Sequence, residues 1–283
     1  MTDIKSFMSI LIPLPMLISF MNFLIGGFLS LNAIDINPTL ISGAIVFALV
    51  IGAFNILNNI VDINSDEISK PKRPLPSMKL TIRNALSYYV ILTLLCLVLS
   101  FLLNLLVFIS VVLVTVIAWL YSYYPKIKKI IILNTVFVAF TYVVLPLVTG
   151  WVFMPSSEAM PLALIFTISL LAFLLVVIKD ITDVVADGLM GVKTIPVVYG
   201  ISKTGRMLKW LIILPYLFVI VFIQLGVFGS FFWLSVIPLP ICFYLMNYIE
   251  KKPNSKAGEL YLVSAMILGI LTEILLLASF LMS

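Results

Sequence analysis

Asn58, Asp62 and Asp66 have the residue types and spacing that first suggest chemistry. They stand four apart at the end of a long apolar run, and Lys70-Pro71-Lys72-Arg73-Pro74 follows them. On a helix this spacing stacks three polar side chains on one face, about 6 Å apart along the axis. Two carboxylates at that distance can share divalent cations, and the Asn amide can orient a ligand between them. A second acidic group, Asp180, Asp183 and Asp187, follows another apolar run with spacings of three and four, again one helical face. The chain has no histidine, and its two cysteines, Cys96 and Cys242, lie alone in apolar runs. A donor set made of carboxylates favours hard cations, Mg²⁺ first, which usually bridges a few carboxylates to substrate phosphates. Arg73 suits bidentate pairing with phosphate oxygens, and Lys70, Lys128 and Lys129 neutralise the remaining charge.

The elements that must carry these groups are membrane helices. The 283 residues are 63% hydrophobic and only 10% charged. Continuous apolar runs, rather than alternating ones, exclude a β-barrel and read as transmembrane helices. We read nine spans, near 8–31, 40–61, 81–103, 105–124, 133–153, 161–179, 207–226, 231–249 and 258–281. The third and fourth are parted only at Asn104, which demands a tight hairpin. Pro13, Pro15, Pro146, Pro215, Pro238 and Pro240 each kink a helix in or near a span. The first run lacks a small-residue cleavage site and is expected to be a retained helix. With this count all 17 basic residues fall on one side, and the loops of the other carry only Asp35 and Glu158. The positive-inside rule then puts the N-terminus, both acidic groups and their loops on the cytoplasmic side of the cell membrane, and the C-terminus outside. The basic face suits anionic lipid headgroups or an anionic substrate. Nothing in the sequence points to nucleic acid.

An Asp–Mg²⁺–diphosphate site within an apolar bundle suggests one reaction. Metal and Lys/Arg withdraw charge from a diphosphate and make it a good leaving group. If the other end is an allylic prenyl chain, the C–O bond can ionise, and an apolar bundle houses the chain and excludes water.

These residues resemble the UbiA-type intramembrane prenyltransferases over nearly the whole chain. The first family motif, N-x-x-x-D-x-x-x-D followed by R-P, matches Asn58, Asp62 and Asp66, then Arg73-Pro74-Leu75-Pro76-Ser77. The second matches Asp183 and Asp187, then Gly191, Thr194 and Pro196. A Y-x-x-x-K element matches Tyr124 and Lys128, with Lys129 beside it. The resemblance implies a single prenyltransferase domain over 1–283, an all-α polytopic membrane fold with nine helices around a central cavity, and Mg²⁺-dependent prenyl transfer. It implies that Asp62, Asp66, Asp183 and Asp187 hold the metal and that Arg73, Tyr124 and Lys128 assist the diphosphate. Asn58 would orient the donor. Asp180 would take the nucleophile's proton or support the metal ligands; both roles stay open. The implied partners are an isoprenyl diphosphate donor, a hydrophobic or amphipathic acceptor and membrane lipid.

Lys70 to Ser77 and Lys179 to Asp183 resemble the archaeal digeranylgeranylglyceryl phosphate synthases, whose acceptor is geranylgeranylglyceryl phosphate. Tyr121-Ser122 with Leu145-Pro146 resembles the chlorophyll-synthase branch. An aromatic acceptor, a quinone precursor or a chlorophyllide-type molecule, is the alternative within the family. From a different class, a cation- or proton-coupled transporter would explain acidic groups in a bundle. It does not explain why basic loops follow both of them on one side. Glu273, inside the ninth span, is the acid a transporter would want; we expect a packed or lipid-edge role for it.

Overall fold

The computed structural model describes residues 4–155 and 159–283, so Glu158 lies outside the described residues. Every regular element among them is helical, and the chain divides into two compact units, residues 1–159 and 160–283.

The first unit holds α1 (Ile4–Leu11), α2 (Pro13–Leu31), α3 (Pro38–Val61), α4 (Ile63–Ser69), α5 (Ile82–Leu103), α6 (Leu105–Ser122), α7 (Leu133–Ala139) and α8 (Leu145–Phe153). Span one is therefore not the single helix expected from the sequence. Pro13 and Pro15 have no N–H to continue the ladder, and Ile12 between the two segments sits at φ 52°. A left-handed β-branched residue costs about 1–3 kcal/mol and persists only where its surroundings hold it. α3 is the buried axis of this unit and packs on α2, α5 and α6. Asn37 caps it by accepting a 2.8 Å bond from the Leu40 N–H, with Pro38 in the first turn. α2 crosses α8 with backbones in contact: a Cβ on Gly26 would meet the Leu147 oxygen at 2.0 Å, and one on Gly150 the Phe23 oxygen at 2.0 Å. The expected tight hairpin is present. Asn104 alone joins α5 to α6, and its side chain accepts from the Leu106 N–H at 2.7 Å. The fifth span runs from Leu133 to Phe153 through a π-helical turn, Phe140–Val144, which adapts the ladder ahead of Pro146.

The second unit holds α9 (Leu162–Val176), α10 (Lys179–Leu189), α11 (Ile195–Tyr199), α12 (Ile201–Leu211), α13 (Ile213–Gln224), α14 (Leu239–Lys251) and α15 (Gly258–Leu281). Its core gathers Leu171, Ile178, Ile181, Tyr216, Met246 and Ala265. The sixth span is broken: α9 turns by 46° into α10. Among the described residues eight helices are long and apolar enough to cross a membrane, or nine with this bent pair as one span. The expected all-α polytopic fold is thus the observed one. Both cysteines are buried and free, as their settings suggested.

Candidate active site

In the first unit the acidic ladder straddles a helix junction. α3 ends at Val61, Asp62 stands between the helices with ψ 10°, and Asp66 lies in α4. The three residues do not share one continuous helix, because ψ at Asp62 has rotated away from the helical value. The i to i+4 hydrogen bonds still pass through the junction: the Asp62 N–H donates to Asn58 O at 2.9 Å, and the Asp66 N–H to Asp62 O at 2.8 Å. The one-turn spacing therefore survives the bend.

Each carboxylate of this ladder meets a cation. Lys128 donates to Asp62 from a short 3₁₀ turn, Ile127–Lys129, and is itself buried. Arg73 Nη1 donates to Asp66 Oδ2 at 2.8 Å and to Asn59 Oδ1 at 2.9 Å. Asp66 is 4% exposed. Burial raises its pKa above the ordinary 3.8, outweighing the opposing pull of Arg73 and Lys70. Asn58 accepts from the Ser122 hydroxyl at 3.3 Å, which ties the first rung of the ladder to the end of α6.

The motif residues do not all converge. Tyr124 is 71% exposed and Lys129 is exposed, and neither joins the ion pairs. Successive residues of a 3₁₀ turn point about 120° apart, so turning Lys128 inward turns Lys129 away. Other residues that the motif reading passed over do converge. The Asn59 and Asn55 amides are buried one and two turns behind Asp62, the Tyr142 hydroxyl donates to Asn55 Oδ1 at 2.8 Å, and the Tyr121 hydroxyl donates to Asn134. Phe54 packs edge-on against both rings, with centroids 5.4 and 5.8 Å away. The available signal was the Asn55–Asn58–Asn59 grouping in an otherwise apolar helix.

In the second unit, Asp180, Asp183 and Asp187 all lie on α10, as their spacing predicted. Asp180 is 2% exposed and pairs with Lys179 at 3.1 Å. Gly258 brings the start of α15 against α10: a Cβ there would lie 2.8 Å from the Thr182 Cα. α10 closes through a 2.9 Å bond from the Val192 N–H to Asp187 O, with Gly191 at φ 69°, a conformation glycine adopts without penalty. Thr194 follows as the N-cap of α11, with Pro196 in its first turn. Glu273 is buried within α15.

Among the described residues no three His, Cys, Asp or Glu side chains gather into a metal cage. That arrangement still fits Mg²⁺, which keeps several waters and is held by one or two carboxylates plus substrate phosphates. The donors are all oxygens. The Thr194 hydroxyl, in the second motif, is buried with no hydrogen-bond partner among the described residues, a group that a ligand oxygen or water would satisfy.

Residues 19–279 match the UbiA prenyltransferase family. The chain is 30% identical over 243 residues to the digeranylgeranylglyceryl phosphate synthase of Methanocaldococcus jannaschii, covering 83% of this chain and 82% of that one. It is 38% identical over 177 residues to the enzyme of the same name from Sulfurisphaera tokodaii, covering 62% and 63%. Its fold is similar, with a TM-score of 0.71 at 18% identity, to a UbiA homologue from Archaeoglobus fulgidus bound to GPP and Mg²⁺, covering 97% and 99% of the two chains. The chain belongs to the UbiA prenyltransferase family: it is a multi-pass membrane protein and a prenyl-transferring enzyme.

Proposed function

We propose that this enzyme transfers a geranylgeranyl group from its diphosphate to geranylgeranylglyceryl phosphate, with Mg²⁺. The observation that carries the reading is the pairing of each first-motif carboxylate with a cation, Asp62 with Lys128 and Asp66 with Arg73. A metal–diphosphate complex has the complementary charges: the carboxylates suit the metal and the cations suit the phosphate oxygens. The names of the two curated relatives support the acceptor, and the ligands of the Archaeoglobus homologue support the donor class and the metal.

Asp62, Asp66, Asp183 and Asp187 are the residues that would hold Mg²⁺, which would draw charge from the diphosphate as it leaves. Arg73 and Lys128 grip phosphate oxygens, with Lys70 adding positive charge nearby. Asn58 orients the donor beside Asp62. Tyr124 and Lys129 act at the rim, reached when substrate is bound. The C1–O bond of the donor breaks with both electrons going to the diphosphate; the acceptor hydroxyl oxygen then bonds to C1 and its proton passes to the released diphosphate. Asp180, buried and paired with its neighbour Lys179 at the start of α10, is a supporting group in this reading.

The two compact units act as one domain, a reading supported by the family match running through both. The distribution of all 17 basic residues supports a cytoplasmic N-terminus and cytoplasmic acidic loops in the cell membrane.

The test is an acceptor panel. Purified protein in detergent receives labelled geranylgeranyl diphosphate, Mg²⁺, and in separate reactions geranylgeranylglyceryl phosphate, 4-hydroxybenzoate, dihydroxynaphthoate or homogentisate. Label is expected in the ether-lipid product alone. Label in an aromatic product instead would overturn the acceptor assignment and leave the family chemistry standing.

A further inference from the structure

We infer that the break in the first span is a positioning device for the active site, worked through Asn55 and Asn59. This rests on the proposed diphosphate site. In an unbroken helix the Leu11 carbonyl would accept from the N–H of residue 15, but Pro15 has none. The structure gives that carbonyl the Asn55 Nδ2–H, at 2.8 Å across 44 residues of sequence. The Ile10 carbonyl, on the same broken edge, accepts from Asn59 Nδ2 at 3.3 Å, and the same amide nitrogen donates to Asn55 O at 2.7 Å.

Both amides are thereby fixed in orientation, and each turns its oxygen toward another side chain of the first unit. Asn55 Oδ1 accepts from the Tyr142 hydroxyl at 2.8 Å, in the π-helical turn of the fifth span. Asn59 Oδ1 accepts from Arg73 Nη1 at 2.9 Å. Arg73 has five N–H groups, and both of those on Nη1 are used, one on Asn59 and one on Asp66. The three on Nε and Nη2 are left for phosphate oxygens, with Nε–H and one Nη2–H lying parallel on one edge. Without Asn59 the guanidinium would be held by Asp66 at one point and could rotate about that bond.

Ile12 at φ 52° is the independent sign that the break is built in. A β-branched residue in the left-handed region marks a conformation held by its neighbours, and such outliers cluster at functional sites. Here the holders are two buried amides, both 4% exposed or less, reaching back from α3, the helix that leads into Asp62. Asn59 is therefore a positioning residue that acts through Arg73, and Asn55 supports it by accepting the Asn59 amide on its own carbonyl.

The experiment compares the wild-type chain, Asn59→Leu, the double variant Pro13→Ala/Pro15→Ala and the triple combination. The double variant restores two N–H groups and offers the Leu11 carbonyl an intrahelical partner. Alanine favours the helix, so this variant folds even if Asn59→Leu does not. Two readouts are taken in detergent: the Mg²⁺-dependent Kd for geranylgeranyl diphosphate, and the thermal midpoint without ligand. Healing the helix is expected to weaken donor binding about tenfold, the worth of one charge-assisted hydrogen bond, while the thermal midpoint stays level or rises. A structural role alone would move both in the same direction. Asn59→Leu is expected to weaken binding as much, and the triple variant no further, because the changes act through one path. Donor binding within twofold of wild type in the proline variant, or additive losses in the triple variant, would overturn the inference. Absence of Mg²⁺-dependent donor binding in the wild type would instead overturn the diphosphate site beneath it.

Discussion

Arg73→Lys keeps the charge at the mouth of the first motif and removes the fork. In the structure one guanidinium nitrogen spans two acceptors, Asp66 Oδ2 at 2.8 Å and Asn59 Oδ1 at 2.9 Å, and leaves three N–H groups for a ligand. An ammonium has three donors on one atom, so it can pair with Asp66 but cannot also hold Asn59 and present two parallel bonds. One charge-assisted hydrogen bond lost from the grip is worth about 1.5–3 kcal/mol, which is roughly 10- to 150-fold in donor Kd. Arg73→Ala adds a second loss, since it strands a carboxylate that is 4% exposed. Breaking a buried pair costs about 3–5 kcal/mol; with the Arg73 side chain 26% exposed we expect about 1–3 kcal/mol. Titration of labelled donor with Mg²⁺ reads the first effect, and thermal unfolding in detergent reads the second. The lysine variant should bind weakly and stay stable, and the alanine variant should lose both. A lysine variant that binds donor within twofold of wild type would refute the fork.

Further outcomes follow from the same geometry. Asp66 keeps its proton at a pH where an ordinary aspartate, at 3.8, has lost it, because burial dominates. Between 3.8 and that raised pKa the native chain binds more protons than the unfolded one. Ligand-free stability therefore falls as pH rises through this window, and the loss is complete above it. Mg²⁺-dependent donor binding runs the opposite way and weakens on acidification through the raised pKa; Asp66→Asn should flatten the stability profile and weaken binding at all pH. Gly150→Ala forces a Cβ to within 2.0 Å of the Phe23 oxygen; we expect about 1–3 kcal/mol of destabilisation, seen as a lower thermal midpoint. Replacing Cys96 and Cys242 together by alanine should leave transfer unchanged, because both thiols are buried packing groups, neither is in a disulfide and neither belongs to the acidic motifs.

Much of this was legible in the sequence because it depends on local spacing. Asn104 between two apolar runs dictated a hairpin, and the three-and-four spacing of Asp180, Asp183 and Asp187 put them on one helix. Arg73, the partner of Asp66, stands among the basic residues that follow the ladder, whereas Lys128, the partner of Asp62, comes from 66 residues away. What escaped was set by contacts distant in sequence. Pro13 and Pro15 announced a kink, but the full break depends on amides 44 and 49 residues away. The change from apolar α9 to charged α10 was visible at Lys179, while the 46° turn was not. The family motif grouped Tyr124, Lys128 and Lys129, and the 3₁₀ turn then sent only Lys128 inward.

We propose that both acidic motifs serve one Mg²⁺-dependent prenyl transfer. It is tested most directly by single-turnover transfer from labelled geranylgeranyl diphosphate to geranylgeranylglyceryl phosphate, with wild type, Asp62→Ala and Asp183→Ala side by side. Product is expected in the wild type, abolished by chelating Mg²⁺ and reduced by at least about 100-fold in each variant, as when about 3 kcal/mol of transition-state stabilisation is lost. Either variant turning over at the wild-type rate, or a wild type that transfers label equally well in excess chelator, would contradict it.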